Sequence, residues 1–133
     1  MILIKNADVY APEHLGKKDL LIEGGVIGYI EDFIDEKKFP VDIQVMDACG
    51  NYLFPGLIDS HVHITGGGGE GGFTTKTPEI LLSSIVQGGI TTVVGCLGTD
   101  GFSRSMENLL SKAYALEDYG INTFIYSGSY QIP

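Results

Sequence analysis

The sequence predicts an α/β protein in two parts, and two observations support this prediction. Residues 1–53 consist mainly of short apolar and β-branched segments that are typical of strands. From residue 56 onward, strand patterns and helix patterns alternate in the order β-α-β-α-β. Because crossovers between parallel strands are right-handed, this order predicts three parallel strands lying side by side.

In the first part, the clearest element is a hairpin over residues 20–30. Two β-rich runs flank Gly24 and Gly25, which can form the tight turn between them. Farther along, Val41, Ile43 and Val45 recur at every second position. This alternation predicts another half-buried strand.

In the second part, strands are predicted over residues 57–63, 90–95 and 121–127. The middle segment is a continuous run of apolar and β-branched residues. Such a run is typical of a parallel strand that is covered on both faces.

A first helix is predicted to begin at Thr77-Pro78-Glu79, which places a hydroxyl at the cap, proline next and an acid in the first turn. Gly88 is expected to end it. The apolar stripe of this helix is predicted at Ile80, Leu81, Ile85 and Val86.

A second helix is predicted between a cap at Ser103 or Ser105 and a stop at Gly120. Its apolar positions are Met106, Leu109, Leu110, Ala113 and Leu116. Three strand units cannot close an eight-stranded barrel, which needs about 250 residues. We therefore expect that the remainder of a barrel is missing or comes from another polypeptide.

The composition limits the partners and the compartment. A formal charge of −9 with only eight Lys and Arg residues argues against nucleic acid and anionic membranes as partners. The amino terminus does not resemble a signal peptide, and no apolar run approaches the roughly 20 residues of a membrane span, so we expect a cytoplasmic protein. Cys49 and Cys96 are predicted to be buried, reduced thiols, with a disulfide as the alternative.

The most informative stretch is residues 54–63, an apolar run that ends at His61 and His63. On a strand these side chains share one face, and neutral imidazole is a preferred zinc ligand. The glycine-rich segment 66–72 follows, which places the pair at the carboxyl end of a strand, where parallel barrels carry active sites. The structural alternative is a pair of half-buried histidines bonded to backbone.

Pro55-Gly56, an apolar strand and then Asp59-x-His61-x-His63 resemble the first barrel strand of the amidohydrolase superfamily. Within it, three segments resemble the isoaspartyl (β-aspartyl) dipeptidases: HITGGGGEGGF (63–73), GITTVVG (89–95) and LGTDG (97–101). The resemblance implies that residues 54–133 form the first three β/α units of a metal-dependent (β/α)8 barrel. Residues 1–53 would form part of a small β-sandwich domain before it. Members of this family are several hundred residues long, so the chain is expected to be an amino-terminal portion.

For the complete enzyme, the resemblance implies two zinc ions, the more buried of which is bound by His61 and His63. The bridging carboxylated lysine, two further histidines and a catalytic aspartate would lie on later strands. The isolated 133 residues are therefore expected to be inactive. Asp59 could hold a ligand histidine or bond to nearby backbone.

The resemblance also implies a substrate site for a small peptide with a free α-amino group. Glu70 would pair with the α-ammonium, Gly68 and Gly69 would border the pocket, and Thr99 would contact the substrate. Tyr130 would bind substrate and polarise the scissile carbonyl, which is the catalytic role of an oxyanion donor. From composition alone, Glu70 would be an incidental acid on a flexible loop, and Asp100 is expected only to cap its turn.

Two other functions stay open. One is a cyclic amidase of the dihydroorotase or hydantoinase type, which shares Asp-x-His-x-His. The other is a non-catalytic truncated barrel that acts as an assembly module, because a zinc site needs at least three protein ligands. The resemblance further implies a homo-oligomer for the complete protein.

Overall fold

The computed structural model describes residues 1–129, which divide into two compact units with the boundary between Pro55 and Gly56. The boundary predicted from the sequence, between residues 53 and 54, lies two residues earlier. Within the described residues, no helix combines the length and the apolar character that crossing a membrane requires.

The first unit is a five-stranded sheet with the order β3-β2-β1-β4, in which β5 also pairs with β1. β1, β2 and β3 are antiparallel neighbours, whereas β4 and β5 run parallel to β1. The strands are β1 (Ile2–Tyr10), β2 (His14–Glu23), β3 (Val26–Glu31), β4 (Gln44–Asp47) and β5 (Tyr52–Leu53).

Both faces of this sheet carry apolar contacts. Leu20 and Leu21 are consecutive on β2 and so point to opposite faces. Leu21 packs with Leu3 and Ile34, and Leu20 lies in a second cluster around Val9. A sheet with two apolar faces suits one layer of the predicted β-sandwich domain.

The predicted hairpin is confirmed, because Glu23 pairs with Val26 across Gly24 and Gly25, both of which have positive φ. The strand predicted around Val41 to Val45 begins only at Gln44. All four residues of β4 are exposed, so the predicted half-burial is wrong. β4 lies at the edge of the sheet, and no other element of the described residues covers its apolar side chains.

The second unit contains the predicted β-α-β-α-β arrangement. Its three strands are parallel, in the order β6-β7-β8, and form the start of the predicted barrel. Its elements are β6 (Leu57–Val62), α1 (Leu82–Gln87), β7 (Ile90–Gly95), α2 (Met106–Asp118) and β8 (Asn122–Ile125).

The second helix follows its prediction closely. Ser105 is the cap and accepts a hydrogen bond from the backbone N–H of Asn108, while Gly120, at φ 87°, follows the helix end. Leu109 and Leu116 are buried on its inner face. Leu110, another of the predicted apolar positions, is 40% exposed.

The first helix is shorter than predicted, because it begins at Leu82 and not near Thr77. The Thr77 hydroxyl does not cap the helix. It accepts a hydrogen bond from Gly67 N at 2.8 Å, and Thr77 N donates to Gly67 O at 2.9 Å. The apolar stripe is also partly wrong: Ile85 is fully buried, but Leu81 and Val86 are exposed.

β7 is not covered on both faces within the described residues. Only Val93 and Gly95 of this strand are buried, which is the period-two pattern of a strand with one covered face. The covered face packs against α1 and α2 through Ile85 and Leu109. Continuous apolar sequence therefore overestimated the burial of this strand.

Candidate metal centre and substrate pocket

The two histidines converge at the carboxyl end of β6. His61 lies within the strand, and His63 follows its last residue, Val62. Their ring centroids are 5.4 Å apart and the ring planes are nearly perpendicular, at 89°. The arrangement matches the shared face that strand alternation predicts for positions i and i+2.

Glycines hold the His63 ring from two sides. A Cβ placed on Gly67 would lie 3.3 Å from His63 Cδ2, and one on Gly98 would lie 3.3 Å from both Cε1 and Nδ1. Contacts of that length are tighter than most real Cβ contacts, so the ring fills the space that the two glycines leave open. The absence of side chains at Gly67 and Gly98 thus leaves room for the His63 ring in this position.

Cys96, which the sequence predicted only as a buried thiol, lies beside the histidines. Its Sγ is 3.5 Å from His63 Nδ1 and 3.6 Å from the carbonyl of Val62. Burial, and then the nearby Asp59 carboxylate, raise the pKa of the Cys96 thiol. Cys96 is buried as predicted, but Cys49 is exposed, which corrects its prediction; both are free thiols.

The donor set suits a divalent metal of the zinc type. One ligand atom from each of His61, His63 and Cys96 lies within 4.8 Å of the others. Imidazole and thiolate are the donors that zinc prefers. The metal implied by the superfamily therefore fits the residues present.

One cavity of about 310 Å³ brings together most of the predicted site residues. Its lining residues are His61, His63, Gly68, Glu70, Leu97, Gly98 and Thr99. We call it the glycine-loop cavity. Gly69 is not among the described residues that line this cavity. It lies against Asp100, because a Cβ placed on Gly69 would be 3.2 Å from Asp100 Cβ. Tyr130 lies outside the described residues.

Glu70 and Thr99 interact at the wall of this cavity. The backbone N–H of Glu70, and then the Thr99 hydroxyl, hold the pKa of the Glu70 carboxyl below its ordinary value. The Thr99 hydroxyl is also 3.5 Å from Gly68 O, but a carboxylate is the stronger acceptor for its single proton. The surroundings of Glu70 thus favour its negatively charged form at the cavity.

Arg104 ties the glycine-rich loop to the segments around it. Its Nε donates to Thr65 O at 2.9 Å, and its other nitrogens reach Thr77 O at 2.7 Å and Gly67 O at 3.4 Å. Three backbone carbonyls from two segments therefore meet one guanidinium, whose planar fork has donors for all of them. No pattern in the sequence indicated this role.

Asp100 completes the same network from the loop after β7. It caps its turn as predicted, accepting from Phe102 N and Ser103 N. It also pairs with Lys76 at 2.8 Å and Arg104 at 3.3 Å, with its side chain only 4% exposed. Hydrogen bonds from Lys76 and then from Ser103 hold the pKa of Asp100 far below its usual range.

A second cavity of about 370 Å³ is also lined by His61. We call it the β8 cavity, and its lining residues are His61, Cys96, Leu97, Tyr126, Ser127, Gly128 and Ser129. Tyr126 donates to Ser60 O at 3.3 Å. His61 and Leu97 line both cavities, whereas His63 lines only the glycine-loop cavity.

Asp59 was predicted to bond either to a ligand histidine or to nearby backbone, and the structure shows the bond to backbone. Its Oδ1 accepts from His61 N at 3.2 Å, two residues along the strand.

The chain is similar over almost all of its length to a solved dipeptidase. It is 52% identical to beta-aspartyl dipeptidase from Fervidobacterium islandicum AW-1, solved in complex with beta-Asp-Leu dipeptide, with a TM-score of 0.90. The match covers 99% of this chain and 34% of that one.

Two curated relatives of the chain are enzymes with other names, a D-hydantoinase and a dihydroorotase. A D-hydantoinase from Geobacillus stearothermophilus is 35% identical over 129 residues, which cover 92% of this chain and 26% of the relative. A dihydroorotase from Staphylococcus aureus (strain MRSA252) is 33% identical over 118 residues, which cover 89% of this chain and 26% of the relative. The chain thus spans about a quarter of the length of these relatives.

No family model matches the chain. The structural match is nevertheless specific, because it combines 52% identity with nearly complete coverage of both described units. The chain therefore belongs to the amidohydrolase superfamily and matches the amino-terminal portion of the beta-aspartyl dipeptidases.

Proposed function

We propose that the complete protein hydrolyses the isopeptide bond of β-aspartyl dipeptides in a metal-dependent reaction. The observation that carries this proposal is that Glu70 and the pair His61 and His63 line one cavity. A carboxylate for the substrate and imidazoles for a metal are then within one small volume. That is the arrangement needed to hold a dipeptide with its scissile bond at the metal.

Glu70 is proposed to bind the free α-ammonium of the substrate. This group distinguishes a β-aspartyl dipeptide from a segment inside a longer chain. Because the pKa of Glu70 is lowered by its own N–H and by Thr99, the carboxylate is ionised at neutral pH. Thr99 orients it, and Gly68 and Gly69 let the substrate approach the backbone closely.

His61 and His63 would hold the metal. When bound, the metal would supply a Lewis acid and lower the pKa of a bound water towards neutrality. By resemblance we propose two zinc ions, bridged by a carboxylated lysine from outside this chain. Gly67 and Gly98, on either side of His63, fix its imidazole in place.

Tyr130 is proposed to donate its hydroxyl to the scissile carbonyl as negative charge develops on the oxygen. A preorganised donor at that position stabilises the transition state more than the ground state. This proposal rests on the resemblance to the isoaspartyl dipeptidases, in which Tyr130 belongs to the segment Ser127-Gly128-Ser129-Tyr130.

The 52% identity to a beta-aspartyl dipeptidase solved with beta-Asp-Leu supports this substrate class. Identity to the hydantoinase and the dihydroorotase is lower, at 35% and 33%. Because the chain covers about a third of the dipeptidase, the activity belongs to the longer protein.

The test is Glu70→Gln in the complete enzyme, assayed with β-Asp-Leu. We expect KM to rise at least tenfold with a smaller change in kcat, because the lost charge acts on ground-state binding. Glu117→Gln, an exposed acid on α2, removes the same charge elsewhere and should leave KM unchanged.

N-acetyl-β-Asp-Leu, which lacks the ammonium, should be a poor substrate for the parent enzyme and equally poor for both variants. Unchanged KM in Glu70→Gln would remove Glu70 from this role.

A cyclic amidase is the second candidate, favoured by the dihydroorotase and hydantoinase relatives. A cyclic amide carries no free α-ammonium, so Glu70→Gln should not weaken its binding. Turnover of dihydroorotate or hydantoin above that of β-Asp-Leu would favour this function. Absence of turnover on all three would favour the non-catalytic module.

We further propose that the protein works in the cytoplasm and that the complete protein is a homo-oligomer. Free thiols at Cys49 and Cys96 support a reducing compartment. The oligomer is proposed from the resemblance.

A further inference from the structure

Cys96 occupies a position that a metal ligand could use. β7 ends at Gly95, and Cys96 is the next residue, so its thiol lies at the same carboxyl edge of the sheet as the histidines. The backbone N–H of Cys96 donates to Val62 O at 2.9 Å, which fixes the thiol beside the end of β6. It is only 6% exposed, so the side chain has little room to turn away.

The separation of the donor atoms matches a coordination shell. With metal–sulfur and metal–nitrogen bonds of about 2.3 and 2.1 Å, the S to N edge of a tetrahedron is about 3.6 Å. Cys96 Sγ lies 3.5 Å from His63 Nδ1. The three donor atoms of His61, His63 and Cys96 all lie within 4.8 Å of one another. Because His61 is exposed, rotation of its ring would bring its donor atom towards the other two around one ion.

The surroundings of Cys96 differ from those of a purely structural thiol. A buried cysteine that only fills space is surrounded by apolar atoms. Cys96 instead faces an imidazole and, together with His61, lines the β8 cavity. That cavity gives an ion a route to the sulfur.

We propose that Cys96 is a third protein donor beside His61 and His63, and that this set selects a thiophilic divalent ion such as Zn²⁺, Cd²⁺ or Co²⁺ over Mg²⁺ or Mn²⁺. This deepens the proposed function, since it rests on the histidine pair as the metal site. On binding, the Cys96 S–H loses its proton to solvent as the metal–sulfur bond forms. Hard ions gain little from a thiolate, so the selectivity follows from ligand softness.

The experiment is a Co²⁺ titration of the reduced chain, without added thiol reagents, followed by absorption spectroscopy. Co²⁺ bound by thiolate gives a sulfur-to-metal charge-transfer band in the near ultraviolet, which imidazole ligands do not produce. In Cys49→Ser the sole remaining thiol is Cys96, so a band there reports Cys96 without any change at that position.

We expect the band, with about one ion per chain, in the parent chain and in Cys49→Ser. Cys96→Ser should lose the band and bind Co²⁺ at least tenfold more weakly, with a circular dichroism spectrum as the check on folding. Mg²⁺ in large excess should not displace the ion.

Two results would overturn the inference: Co²⁺ bound by Cys49→Ser with no band, or no bound Co²⁺ at all. If a complete enzyme with Co²⁺ hydrolysed β-Asp-Leu without the band, the proposed function would stand and the role of Cys96 would fail. A band in an enzyme that never hydrolyses β-Asp-Leu would support the role of Cys96 and count against the proposed function.

Discussion

Two neighbouring loops of the second unit each carry an acid, and the two acids have different surroundings. Asp100, in the loop between β7 and α2, is nearly buried and accepts from Lys76, Ser103 and Arg104. Glu70, in the glycine-rich loop, is exposed at a cavity, and its resolved donors are its own N–H and the Thr99 hydroxyl. A carboxylate offers about four acceptor positions, so Glu70 retains capacity for a ligand. The capacity of a carboxylate to bind a ligand therefore depends on how many donors in the protein already bond to it.

The largest effect is expected for Asp100→Asn, which removes the ion pairs but keeps an oxygen for the turn. Arg104 and Lys76 would then lose their charged partner in a poorly solvated site. We expect the Tm of the second unit to fall by about 10 °C. Glu70→Gln should shift it by no more than about 2 °C, since little of the chain depends on that carboxylate. Thermal unfolding followed by circular dichroism measures both.

Asp42→Asn, which changes an exposed acid in the first unit, is the matched control for charge.

The pH dependence of the Tm gives a second check on the role of Asp100. Because the pKa of Asp100 is lowered in the fold, its contribution is complete above about pH 4, the unfolded value, and is lost as pH falls further. The Tm gap between parent and Asp100→Asn should therefore be constant down to about pH 4 and narrow below it. An equal Tm for both proteins at neutral pH would contradict the structural role.

A smaller effect is expected for Gly98→Ala, in the same loop as Asp100. The new methyl group would lie 3.3 Å from two atoms of the His63 ring and displace it by a few tenths of an ångström. We expect metal affinity, measured by calorimetric titration with Zn²⁺, to fall about tenfold, as for other changes that reorient a ligand.

Gly28→Ala is the control for this substitution, because its Cβ would meet nothing closer than 3.8 Å and it lies on β3. If Gly98→Ala bound Zn²⁺ as tightly as the parent chain, the two glycines would not position His63.

The smallest effect is expected for Thr99→Val, which keeps the shape of the side chain and removes its hydroxyl. Glu70 would lose one donor but keep its charge and its own N–H. We expect KM for β-Asp-Leu to rise about threefold in the complete enzyme, with an unchanged Tm. Thr74→Val, an exposed threonine in the glycine-loop region, should leave KM at the parent value. A tenfold or larger rise in KM for Thr99→Val would mean that Thr99 contacts the substrate directly and does not act only through Glu70.

Local patterns predicted much of the fold. The Gly24-Gly25 hairpin, the cap at Ser105 and the stop at Gly120 depend on neighbouring residues, and the structure contains all three. The β-α-β-α-β order fixed the parallel sheet, since handedness leaves few ways to connect it. The start of α1 was wrong because Thr77 bonds to Gly67, ten residues earlier, and a local rule cannot anticipate such a partner.

The fold class, the histidine pair and the glycine-rich loop that follows it could be predicted from the amino-acid sequence. These depend on strand alternation and on residue types within one segment. Two contacts could be seen only in the folded chain: Cys96 lies beside His63, and Arg104 bonds to both the glycine-rich loop and Asp100. Each of these contacts joins residues that are distant in sequence, and their meeting depends on how β6 and β7 pair and on where the loop between β7 and α2 packs. A side chain's neighbours across a sheet edge are set by that packing, which residue order alone does not specify.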